Sequence, residues 1–156
     1  MSSNRTPPDF SPRDPWNDVA SILYDRFVAH GQDALYAALA AELLRLAPDE
    51  GEILDVGCGP GHAALAIARA RPRLRVVGID LAPRMVALAS ARARREPALH
   101  VDFRVADALA LPFDDGRFAA ACSFASIKHW PDRARGLAEL HRVLAPGAAA
   151  VLVEAD

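Results

Sequence analysis

Apolar and polar positions change rhythm near residue 50 of this chain. Before it, Val19, Ile22, Leu23 and Phe27, then Leu35, Leu39, Leu43 and Leu46, recur at three- and four-residue spacing, which predicts two helices between Trp16 and about Leu46. Gly31 separates them, and Pro48-Asp49-Glu50-Gly51 ends the second. After it, short apolar runs alternate with helical stretches. Strands are expected at Glu52–Val56, Leu74–Ile79 (ending at Asp80), Val101–Val105, Phe118–Ser123 and Ala148–Glu154. Helices are expected at Ala63–Ala70, Pro83–Arg95 and Asp132–Val143. Each strand reads as apolar on both faces, so the sheet is expected to be parallel and covered by helices on both sides. The fold class is doubly wound α/β with a mostly parallel, Rossmann-like sheet. Its boundaries are a proline-rich arm over 1–15, a helical extension over 16–48 and the α/β domain over 49–156.

Composition narrows this picture. At 156 residues the chain has room for one domain with a core, and at 52% hydrophobic and 24% charged it reads as a soluble globular protein. A formal net charge of -2 supplies no field to draw nucleic acid or an anionic membrane. No apolar run reaches the ~18 residues of a membrane span, and the polar start Met1-Ser2-Ser3-Asn4-Arg5 has no signal-peptide core, so a cytoplasmic location is expected. Cys58 and Cys122 are too distant in sequence for a local metal knuckle or a redox pair and read as buried thiols; no metal is expected. Arginine supplies nearly all the basic residues, and Lys128 is the sole lysine.

The candidate chemistry gathers where the strands end. In a doubly wound sheet, ligands bind beyond the carboxyl ends of the strands. Asp55 lies at the end of the first, Asp80 at the end of the second and Asp107 just past the third. Buried carboxylates need donors, so three at one sheet edge point to a ligand that supplies them. Gly57, Gly59 and Gly61 admit positive φ and a close backbone approach, and the helix after them offers free N–H groups. A dinucleotide-binding dehydrogenase is the rival reading, but its third small residue would fall at His62, and a pyrophosphate would face the Asp55 charge.

Ile53-Leu54-Asp55-Val56-Gly57-Cys58-Gly59-Pro60-Gly61 resembles motif I of the class I S-adenosylmethionine-dependent methyltransferases. Val77-Gly78-Ile79-Asp80-Leu81-Ala82-Pro83-Arg84-Met85 and Ala106-Asp107-Ala108-Leu109-Ala110-Leu111-Pro112-Phe113 resemble the next two motifs. Ile127-Lys128-His129-Trp130-Pro131-Asp132 resembles a Leu-His-His-Trp-Pro-Asp stretch of the small-molecule, type 11-like branch, and Leu144-Ala145-Pro146-Gly147 the turn before the fifth strand. The likeness covers roughly residues 50–156, in order.

The resemblance implies a sheet of order 3-2-1-4-5 and S-adenosylmethionine as cofactor. It implies that Asp80 accepts from the ribose hydroxyls and Asp107 from the adenine amino group, with the Ala108 backbone beside it. Leu81 and Met85 would cover the adenine faces, while Asp55, Gly57, Cys58, Gly59 and Gly61 hold the methionine part; Ser123 is placed with these contacts. Departures from the family pattern are Ala82 for a capping serine, Ala119 for an aspartate, and Ala145 and Ala148 in the last turn.

Methyl transfer from a sulfonium needs alignment more than acid–base help. The acceptor implied is a small molecule, not a nucleic acid or a membrane. For a hydroxyl acceptor His129 is the candidate base; Lys128 would set a compact ammonium at the substrate edge, and Tyr24 is a substrate-site candidate, beside Trp16 and Phe27, from the helical lid. His62 reads as a packing residue on the cofactor side. The chain stops at Asp156, directly after the fifth strand, without the antiparallel pair the resemblance implies. Its edge would then be open to a second copy, and a cofactor-binding remnant without catalysis stands as the alternative function. A nicotinamide-dependent dehydrogenase is the third.

Overall fold

The computed structural model describes residues 33–154. The arm over 1–15, the helix expected before Gly31 and the candidates Trp16, Tyr24 and Phe27 lie outside the described residues. The elements run α1 (Asp33–Leu46), β1 (Gly51–Val56), α2 (His62–Ala70), β2 (Leu74–Asp80), α3 (Pro83–Ala93), β3 (Val101–Val105), β4 (Phe118–Phe124), a 3-10 turn (Ile127–His129), α4 (Arg133–Val143) and β5 (Leu144–Val153). The expected strands and helices within the described residues are present, with ends shifted by a few positions. The 3-10 turn is additional.

The strands form one sheet in the order β3-β2-β1-β4-β5, and every neighbouring pair is parallel. The chain leaves β1 toward β2 on one side and returns to β4 on the other. The carboxyl ends of β1 and β4 therefore flank the switch-point crevice where such sheets bind ligands. One sheet face packs Ile53, Val76, Ala120 and Cys122 against Ala40, Leu43, Ala64 and Ile67 of α1 and α2. Phe103 of β3 and Ala89 of α3 both close on Gly61. The opposite face packs Leu54, Val56, Val77, Ile79 and Ala121 against Leu140 and Val143 of α4, with Leu111, Phe113 and Trp130 from the loops.

Three expectations are corrected. The stripe of α1 that enters the core is Ala40, Leu43 and Leu44, while Leu35 and Leu46 stay exposed, because α2 and β4–β5 meet the helix on the turn between them. β3 is not apolar on both faces, since an edge strand is only half covered. β5 begins at Leu144, not Ala148: its register jumps from Phe118↔Leu144 to Ala120↔Ala149, and Ala145–Ala148 bulge outward with Gly147 at φ +77°. Among the described residues the outer edge of β5 has no strand partner, and Leu152 on it is 40% exposed.

Arg71, just past α2, ties α1 to the domain. Its guanidinium donates to the Leu44, Ala47 and Pro48 carbonyls at 2.8–2.9 Å, satisfying one orphan acceptor in the last turn of α1 and two in the segment that follows. Arg71→Ala is expected to cost about 2 kcal/mol, read as a lower denaturation midpoint; an unchanged midpoint would show that this staple holds nothing.

Candidate active site

The turn after β1 is built by its neighbours. Gly57 and Cys58 N–H both donate to the Ile79 carbonyl at 2.8 Å, and Gly61 N–H donates to the Cys58 carbonyl at 3.0 Å. Gly59 N–H donates to Asp80 Oδ2 at 2.8 Å, and Arg92 of α3 donates to the Pro60 carbonyl at 2.9 Å. Gly57, Gly59 and Gly61 have φ of +73°, +51° and +87°, a region a side chain enters only at a cost. A Cβ at Gly61 would strike Phe103 and Ala89, which is how α2 comes so close to α3. A Cβ at Gly59 would meet nothing within 4 Å, so this side of the turn is open.

Asp80 lies half-buried beside the turn. Its Oδ1 accepts from Ala82 N–H at 2.9 Å, and Ala82 offers α3 no side-chain cap, as its residue type implied. Both Asp80 oxygens thus help to fix the turn and the start of α3. Leu81, next to it, is 69% exposed, whereas Met85 is buried at 3%. Of the adenine-facing pair that the resemblance implies, Leu81 thus lies at the surface and Met85 beneath it. Asp107 is exposed, and its Oδ1 accepts from Leu109 N–H at 2.8 Å in a tight turn that brings half-buried Ala108 alongside. That loop is held from α4. Glu139 accepts from Leu111 N–H at 2.8 Å, and Arg142 donates to the Leu111 and Phe113 carbonyls at 2.9 and 2.8 Å.

Asp55 sits beneath the turn, 1% exposed, between Gly78 of β2 and Cys122 of β4 in register. Burial pushes its carboxyl up to about 7; hydrogen bonding with Cys122 opposes this, the Asp80 charge adds to it, and the Ala64 backbone lowers it. Oδ2 has no hydrogen-bond partner. Burial, with the charges of Asp55 and other neighbours, also raises the Cys58 and Cys122 thiols, so both stay protonated, the buried thiols that their sequence context implied.

Ser123 braces the end of β1. It is fully buried, and its hydroxyl donates to the Val56 carbonyl at 2.8 Å, locking β4 to the end of β1. Lys128 and His129 are exposed on the 3-10 turn beyond β4. His62 packs on the α1 side, stacked on Tyr36 with ring centroids 5.3 Å apart and Nδ1 3.6 Å from an Asp33 carboxylate oxygen. Sequence reasoning missed Arg92, Arg142, Glu139 and Ser126. None carries a motif; each acts through a partner some 30 to 70 positions away. Among the described residues no helix is long and apolar enough to cross a membrane.

Comparison with known proteins agrees with this geometry. Residues 53–147 match the family model described as a methyltransferase domain. A demethylmenaquinone methyltransferase of Thermus thermophilus is 41% identical over 133 residues, 85% of this chain and 59% of that protein. A ubiquinone/menaquinone biosynthesis C-methyltransferase of Geotalea uraniireducens is 36% identical over 142 residues, 88% of this chain and 60% of its own length. The chain therefore spans about three fifths of the curated relatives it matches. A solved structure from Methanococcus maripaludis superposes with a TM-score of 0.81 over 98% of this chain and 67% of its own, at 19% identity, a likeness of fold alone. The motif turn, the 3-2-1-4-5 parallel sheet and these matches agree, and the chain belongs to the class I, S-adenosylmethionine-dependent methyltransferase family.

Proposed function

We propose that this chain binds S-adenosylmethionine in the crevice beside the Gly57–Gly61 turn and transfers its methyl group to a small-molecule acceptor. The observation that carries the reading is Asp55: a fully buried carboxyl whose Oδ2 has no partner, directly beneath a glycine turn with one open side. An unmatched buried oxygen is costly. A ligand with a cationic amino-acid end relieves that cost, while a pyrophosphate would aggravate it.

The other residues fit the same ligand. Half-buried Asp80 sets a carboxylate beside the turn, exposed Leu81 offers an apolar surface for a base, and Asp107 with Ala108 lies on the neighbouring loop. Bound S-adenosylmethionine would supply an electrophilic methyl on a sulfonium, and displacement at that carbon needs in-line alignment rather than a triad. The chain's part is to orient the cofactor and to receive the acceptor at the β4 end, where Lys128 and His129 lie. The named relatives direct the acceptor search toward ring carbons of quinols.

Calorimetry with S-adenosylmethionine, its demethylated product and a nicotinamide dinucleotide tests this directly. Binding of the first two and not the third is expected; the reverse would make the chain a dehydrogenase-like domain. Binding without turnover on a quinol and phenol panel would leave a cofactor-binding remnant instead. If His129 is the base for a hydroxyl acceptor, His129→Gln lowers kcat by about a hundredfold and leaves the cofactor Kd unchanged. An unaltered kcat removes it from the chemistry.

A further inference from the structure

Ala125 is the one non-glycine residue with positive φ among the described residues, at +53°. Strain of this kind persists only where the surroundings impose it, and it collects at functional sites. Here it lies one residue past β4, at the switch-point crevice. Ala125 N–H donates to the Val153 carbonyl at 2.7 Å, and Ile127 N–H donates to Glu154 Oε1 at 2.7 Å, so the bend is pinned from the end of β5 on both sides. Between these two anchors the bend turns Ser126 back over the end of β1.

The serine then occupies the space that a side chain on Gly57 would take. A Cβ at Gly57 would lie 1.9 Å from Ser126 Oγ and 2.5 Å from Ser126 Cβ. The hydroxyl is held in turn, since the Trp130 indole N–H donates to Ser126 Oγ at 3.1 Å. Trp130 is itself buried, and its ring fills the place of the missing side chain of Gly136, where a Cβ would come within 2.4 Å. The motif turn is thus fastened to β2 by hydrogen bonds from Gly57, Cys58 and Gly59. On the β4 side Ser123 grips the Val56 carbonyl and Ser126 bears on the next residue, Gly57.

We infer that Ser126, oriented by Trp130, is a positioning residue for the cofactor turn: it presses on Gly57 and sets the backbone that faces the ligand. The inference rests on the functional reading above and adds a pair of residues that act as a unit. The two members should therefore show one shared effect rather than two separate ones.

The test is a double-mutant cycle on the whole chain, read by calorimetry with S-adenosylmethionine and by thermal melting. Ser126→Ala keeps the Cβ against Gly57 and removes only the hydroxyl. Trp130→Phe keeps a ring over Gly136 and removes only the donor. Each is expected to weaken cofactor binding about tenfold, and the double variant no more than either alone, at temperatures where melting shows all four proteins folded. The KM for the acceptor is expected to stay put, since the effect passes through the turn. A purely structural role would lower the melting temperature and leave Kd unmoved, and that result overturns the inference, as do additive losses in the double variant. Should the unaltered chain bind neither S-adenosylmethionine nor its product, the functional reading falls and takes this inference with it. Binding by the unaltered chain with equal affinity in Ser126→Ala removes the inference alone.

Discussion

Asparagine at position 55 is expected to make the folded chain more stable above neutral pH and to cost it cofactor affinity. The sign follows from the burial of the carboxyl, which moves it from its ordinary 3.8 up to about 7 in the folded protein. Below about pH 4 the group is protonated in both folded and unfolded chains and carries no penalty. Between about 4 and 7 the unfolded chain ionises first, so it binds fewer protons than the folded one and stability falls as pH rises. Above 7 the penalty is complete, on the order of 4 kcal/mol for a shift of this size. Asp55→Asn removes it. Its melting temperature is expected to exceed that of the unaltered chain by more at pH 8 than at pH 5. An equal gap at the two values would show that Asp55 ionises without strain. In the same variant, loss of a charged partner for the cofactor's ammonium is expected to weaken S-adenosylmethionine binding at least tenfold. Stability given up for a binding group is a common exchange at active sites.

Alanine at Gly61 and alanine at Gly59 are expected to fail in opposite ways. At Gly61 the new Cβ would lie 2.8 Å from Phe103 Cζ, 2.9 Å from Ala89 Cβ and 3.2 Å from Ala89 Cα, at φ +87°. A phenyl ring can tilt, but the backbone of α3 has no such freedom. The strain of the left-handed region and the overpacking together are expected to cost roughly 3 kcal/mol, read as a lower denaturation midpoint. At Gly59, φ is +51° and nothing lies within 4 Å, so the folding cost is about 1 kcal/mol. The methyl group there enters the open side of the turn, and cofactor binding is expected to weaken about tenfold or more while the fold survives. A Gly59→Ala chain that binds S-adenosylmethionine as tightly as the unaltered one would place the ligand elsewhere.

The strand and helix pattern was legible because period and punctuation are local. Glycine after a strand, proline opening α3 and aspartate before α4 each act within one turn of backbone; Asp132 does accept from Arg135 N–H at 3.0 Å. The acidic ends of β1 and β2 could also be read, since their place follows from the strand pattern alone, although Asp80 fills a local turn role as well by accepting from Ala82 N–H. What misled was inference from apolarity alone. Leu35 and Leu46 look equivalent to Leu43 in sequence, yet they are exposed and it is buried. The face an element buries depends on what crosses over it. The bond from the Ser123 hydroxyl to the Val56 carbonyl, likewise, exists only once β4 lies beside β1.

By itself, then, the sequence determined the α/β alternation, the glycine turn and the three carboxylates at one sheet edge. These follow from backbone conformations and burial costs that act within a few residues. Only the tertiary structure decided which groups hold that turn: Arg92 on the Pro60 carbonyl, Ser126 on Gly57, and Arg142 with Glu139 on the Asp107 loop. Their partners are distant along the chain, and no local pattern encodes a contact that exists only after β1, β2 and β4 have come together. The unpartnered oxygen of Asp55 belongs to the same class, because a carboxyl becomes an orphan only when the packing around it is complete.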